Sequence, residues 1–150
     1  MAFARNVLAV VCTAILVWFG AGLVPVWPLM WFAPIPVLLV ATRSTWQTTA
    51  AVAFLGMFLG NFSIWHYLYD VLSVPTVVVL LSLGIPALGF ALVVLLFRAL
   101  YNRHAWWSAL VGFPAAWVSI EYLIAMTSVH GTAGNLAYSQ LDFLPILQVA

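Results

Sequence analysis

The sequence has no lysine, and its entire fixed positive charge rests on Arg5, Arg43, Arg98 and Arg103. Only Asp70, Glu121 and Asp142 oppose them, so charged side chains make up 5% of the 150 residues. With 67% of its residues apolar, the chain could not remain in solution as a water-soluble domain of this size. A formal net charge of +1 leaves no electrostatic footprint for nucleic acid, and no such partner is expected. The single cysteine, Cys12, excludes an intrachain disulfide. Its apolar setting suits neither a nucleophile nor a metal ligand. There is no phosphate-cradling glycine loop, no Gly-x-Ser-x-Gly elbow and no zinc-binding spacing. His104 and His130 have no second ligand at metal spacing, so neither a cofactor nor a metal is expected.

What the chain does have is long apolar runs. Five stand out, at residues 7–24, 26–41, 46–69, 74–97 and 105–126. The first would reach roughly 27 Å as a helix, enough to cross the hydrocarbon core. The second is short and carries Pro28, Pro34 and Pro36, which predicts a broken or strongly tilted helix. The fold class is therefore all-α, a polytopic transmembrane bundle of about five spans. A secretory signal is the competing reading of Arg5 and residues 7–22, but the apolar segments that follow at once favour an uncleaved first span.

The arginines fall before the first run, between the second and third, and between the fourth and fifth. These are alternate loops, so one face is basic and, by the excess of positive charge on cytoplasmic loops, should be cytoplasmic. Trp46, Trp106 and Trp107 then start segments on the basic side, and Trp65, Tyr67 and Tyr69 end one on the other side, as amphipathic rings at headgroup level do. Gly56 and Gly60 share one helix face and permit close backbone packing. Residues 127–140 turn polar and lie on the outer side by parity. Residues 143–150 are apolar again and read as the entrance to a sixth helix.

Glu121 is the one formal charge well inside a span. A carboxylate in the bilayer centre costs on the order of 3 kcal/mol, so it should face protein or water, or be protonated. Two readings stay open: a substrate or proton contact in an outward-facing cavity, or a structural hydrogen bond tying the fifth segment to the third. Asn61 and His66 lie at a comparable depth in the third segment, which makes a Glu–Asn or Glu–His contact feasible.

Three stretches together resemble the membrane part of the apolipoprotein N-acyltransferases. The strongest is GNLAYSQLDFLPILQVA, residues 134–150. It is similar to the family's Asn-Leu segment, its Tyr-Ser-Gln and its Pro-x-x-Gln turn into the next helix. FPAAWVSIEYL, residues 113–123, resembles the family's Phe-Pro-x-x-Trp followed by an acidic residue and an aromatic. FAPIPVLL at 32–39 followed by Arg43, and the run 56–69 ending in Trp-x-Tyr-x-Tyr, match the order of the family's early helices.

The resemblance implies an enzyme of the bacterial cytoplasmic membrane. It would move an acyl chain from a phospholipid to the amino group of the N-terminal diacylglyceryl cysteine of a lipidated protein. The partners would be both lipid substrates, the membrane and a periplasmic nitrilase-like domain, whose Glu, Lys and Cys form a thioester intermediate. By resemblance Glu121, Asn135, Tyr138 and Gln140 fall in the outer region facing that active site, and His66 joins them by depth as a substrate-facing candidate. The N-terminus would be cytoplasmic and the 127–144 loop periplasmic. The sequence departs from the family in two places. Leu123 and Ile124 stand where an arginine is usual, and His130 to Ala133 replace a Gly-Phe-Pro-Trp-type turn. The Glu-Lys-Cys machinery has no counterpart in these 150 residues, so they are expected to be inactive alone, a membrane domain cut before its sixth helix. The competing functions are a small membrane transporter using Glu121 and a non-catalytic docking module.

Overall fold

The computed structural model describes residues 2–127, 135–143 and 145. Among these residues every regular element is helical. The first apolar run forms α1, Ala2–Gly20. The proline-rich second run splits, as its composition predicts, into α2, Pro28–Phe32, and α3, Ile35–Ala41. Pro28 opens α2 and Pro36 lies in the first turn of α3, where an absent N–H breaks no helical bond. The buried Thr13 hydroxyl of α1 donates to the Ala33 carbonyl at the break, 3.0 Å away. A polar group freed inside an apolar bundle is thereby satisfied.

The third run begins at α4, Trp46–Asn61, capped by the Thr45 side chain, which accepts from the Thr48 N–H. Beyond Asn61 the helix first tightens, at Phe62–Ile64, and then widens, at Tyr67–Val71. The aromatic residues expected at the headgroup belt continue a column that starts deeper. Phe54, Phe58, Phe62, Trp65 and Tyr69 follow one another at centroid spacings of 5.4, 5.3, 5.3 and 5.9 Å. α5, Thr76–Asn102, runs further than its apolar stretch and carries Arg98 in its last turns. α6, Trp106–Thr127, completes the bundle, and both helices continue through their internal prolines, Pro86 and Pro114. Among the described residues four helices, the second of them running Trp46–Ile64, are thus long and apolar enough to cross a membrane, with α2 and α3 together forming a shorter apolar unit. The entrance to a sixth helix lies, apart from Phe143 and Pro145, outside the described residues.

α1 and α4 pack closely because Gly56 and Gly60 present bare backbone to Thr13 and Val17. α4 then packs on α5, and α5 on α6. The core gathers Val37, Val40, Ala53, Met57, Ala87 and Val94 from α3, α4 and α5. Of α6 only Ala109 is buried. That helix is held to α5 by Phe90, whose ring meets Phe113 and Trp117 edge-on at 6.3 and 5.8 Å.

The arginines do gather at one end. Arg5 Nη2 donates to the Ser44 hydroxyl and Arg98 Nε donates to the Ser44 carbonyl, each at 3.0 Å. Arg43 adjoins that serine in the turn between α3 and α4, and Arg103 caps the α5 terminus at the same end.

Candidate functional site

The opposite end is organised by two side chains. Glu121, in the last third of α6, accepts from the Leu136 N–H with both carboxyl oxygens, at 3.1 and 3.0 Å. Leu136 opens a tight turn, Leu136–Gln140, which Asn135 caps by accepting the Ala137 N–H at 2.8 Å. Asparagine suits that position because its short side chain reaches the backbone two residues on. Ser139 closes the same turn by donating to the Leu136 carbonyl at 2.7 Å.

Gln140 ends the turn buried, at 8% exposure. Its amide group is used at both ends. Trp31 Nε1 donates to Oε1 at 2.9 Å, while Nε2 donates to the Trp27 carbonyl at 3.2 Å and to the Ser139 hydroxyl at 2.9 Å. Trp27 also stacks on Phe143, with centroids 4.5 Å apart and planes 6° from parallel. The segment 135–143 is therefore fixed to α6 by Glu121 and to the start of α2 by Gln140. It crosses the bundle end from one helix to the other.

Three of the five candidate residues, Glu121, Asn135 and Gln140, thus act on one segment. Tyr138 sits on it as well, with its side chain half exposed. His66 does not join them. Its Nδ1 lies 2.7 Å from Asp70 Oδ2, one turn further along the chain, and both side chains are exposed. The contact of Glu121 with Asn61 or His66 that depth alone allowed is not formed. The carboxyl group binds the backbone that follows its own helix, so it ties α6 to the loop and not to α4. Depth along a span says nothing about which way a side chain faces. Trp117, one turn before Glu121, lies near the same carboxyl group, but its indole N–H is buried without a closed hydrogen bond.

Trp31 and Ser139 are the residues that sequence reasoning missed. A tryptophan N–H in an apolar bundle needs an acceptor, and Gln140 is among the few uncharged side chains able to supply one while donating elsewhere. Among the described residues no group of three His, Cys, Asp or Glu side chains could hold a metal ion. The cluster is built to hold a loop in place, and it contains no nucleophile paired with a base.

Residues 8–150 match the apolipoprotein N-acyltransferase N-terminal domain. The chain belongs to the apolipoprotein N-acyltransferase family. Comparison with curated proteins and with solved structures gave no match. The matched region is the family's non-catalytic membrane domain, in agreement with the motifs at 113–123 and 134–150. The nitrilase-like catalytic domain of the acyltransferases is not among these 150 residues. In this chain Glu121 of the Phe-Pro-x-x-Trp helix and Gln140 of the Tyr-Ser-Gln turn are two of the side chains that pin the loop.

Proposed function

We propose that the chain anchors and orients a periplasmic nitrilase-like domain that transfers an acyl chain from phospholipid to the N-terminal diacylglyceryl cysteine of lipoproteins. The basic end faces the cytoplasm and the Glu121–Gln140 end faces the periplasm of a bacterial inner membrane. The observation that carries this reading is the position of the family's motif residues. Glu121, Asn135 and Gln140 fix one loop at the end opposite the arginines, which is where an outer catalytic domain would need a rigid seat. Tyr138, exposed on that loop, and the His66–Asp70 pair on the neighbouring rim are the side chains offered to lipid headgroups or to the lipoprotein's cysteine. Lipid reaches the seat sideways, because α6 leaves most of its surface uncovered.

Depleting the protein from its own cell should leave lipoproteins with a free α-amino group on the diacylglyceryl cysteine, read by mass spectrometry of their N-terminal peptides. Unchanged N-acylation would sink the proposal. Orientation is tested separately. An enzyme reporter active only in the periplasm, fused after Met126, should be active, and the same reporter fused after Asn102 should be silent. The reverse pattern would invert the topology and with it the assignment of the Gln140 turn.

A further inference from the structure

At the basic end a groove of about 380 Å³ opens between α3 and α5. Its floor is apolar, formed by Ile35 and Leu39 from α3 and by Phe97 from α5. Its rim is polar, formed by Thr42, Arg43 and Tyr101. The Tyr101 ring stacks on Phe97 at 5.9 Å, which holds its hydroxyl at the rim. Arg43 is exposed, and among the described residues its side chain makes no hydrogen bond or ion pair. Arg5 and Arg98 are engaged nearby on Ser44, an uncharged residue that neutralises neither. The chain's three acids, Asp70, Glu121 and Asp142, all belong to the other end, so the four guanidinium groups of this end, of which Arg43 lines the groove, have no carboxylate of their own.

An apolar trough ending in an unpaired cation and a phenol has the shape and polarity of a lipid. A free phosphate would satisfy Arg43 and leave the trough empty. A zwitterionic headgroup would bring an ammonium up against four like charges. The geometry points to a binding site for one anionic glycerophospholipid in the leaflet at the basic end. Its phosphodiester rests on Arg43 and the Tyr101 hydroxyl, and one acyl chain lies along Ile35, Leu39 and Phe97. Basic pockets between membrane helices commonly take lipids in this way, each cation near the surface strengthening binding about fivefold. The site lies at the end opposite the proposed acyl-transfer face and stands or falls independently of it.

The test is native mass spectrometry of the protein released from detergent micelles containing phosphatidylglycerol, phosphatidylethanolamine or inorganic phosphate. One phosphatidylglycerol should survive activation that strips phosphatidylethanolamine, and inorganic phosphate in excess should not displace it. Arg43→Gln should lower phosphatidylglycerol retention about fivefold. Tyr101→Phe, which keeps the stacked ring and removes only the hydroxyl, should lower it less but measurably. Arg103→Gln, which removes an equal charge outside the groove, should leave it within about twofold. Equal retention of the two lipids, displacement by phosphate, or equal losses in Arg43→Gln and Arg103→Gln would each overturn the site. Should Arg43→Gln fail to fold, an unchanged Tyr101→Phe protein would overturn it alone.

Discussion

Replacing Gly60 with leucine should abolish accumulation of the folded protein. A Cβ built at Gly60 would run into Val17 Cβ and lie 2.6 Å from Val17 Cγ1 and 3.0 Å from the Ala14 carbonyl. Val17 is 1% exposed and has no free space into which to withdraw, so α1 and α4 would have to separate. In a membrane, close backbone packing of this kind is a main source of helix association, because burying apolar surface gains little when the solvent is itself apolar. Gly60→Ala should already cost about 1–3 kcal/mol, the usual range for overpacking. Gly56→Ala should cost less, since its Cβ would stand 3.0 Å from Thr13 Cγ2. That methyl cannot swing far, because the Thr13 hydroxyl is tied to Ala33. Gly84→Ala should be neutral or stabilising, as its Cβ meets only the Phe58 ring edge at 4.0 Å and alanine favours helix by roughly 1 kcal/mol over glycine. Thermal unfolding in detergent should therefore rank the alanine variants Gly84 above Gly56 above Gly60. Equal melting temperatures for Gly60→Ala and Gly84→Ala would mean that α1 and α4 are not in contact as described.

Glu121→Gln, in the protein carrying its catalytic domain, should lower acyl transfer on the order of tenfold while protein level stays within about twofold. Both carboxyl oxygens face the single Leu136 N–H. Glutamine keeps one of them and turns the other into a donor pointing at a donor. Weakening that attachment leaves 135–143 held chiefly by Gln140 and the Trp27–Phe143 stack, so the loop loosens from α6 without unfolding the bundle. N-acylation assayed on a lipoprotein peptide, with the variant quantified in the same membranes, separates the two effects. Normal transfer by the Gln variant would reduce Glu121 to a packing residue.

Much of this architecture was legible in the residues because lipid imposes harsh rules. Apolar runs of the right length had to be helices, and the prolines at 28, 34 and 36 had to break the second one. The alternation of arginines anticipated that Arg5 and Arg98 would meet at one turn, although not that Ser44 would be what they share. Helix limits were less visible. α5 extends past its apolar stretch to Asn102, since nothing in a polar, amphipathic run such as Arg98 to Asn102 ends a helix. The candidate site was legible by resemblance at Glu121, Asn135 and Gln140, but its wiring was not. Hydrogen-bond partners 109 and 113 residues apart, such as Trp31 and Trp27 with Gln140, follow from the folded arrangement and leave no local pattern. His66 stands apart from that cluster for a local reason. Its partner, Asp70, was four residues away on its own helical turn, where carboxylate and imidazole naturally meet.

Ser44 acts as a rivet. Because one residue of the α3–α4 corner fastens α1 through its hydroxyl and α5 through its carbonyl, those helices share a fulcrum at the arginine-bearing extremity. Spreading of the bundle is then greatest at the far extremity, where the helices would tilt about a fixed base with their arginine-bearing roots unmoved.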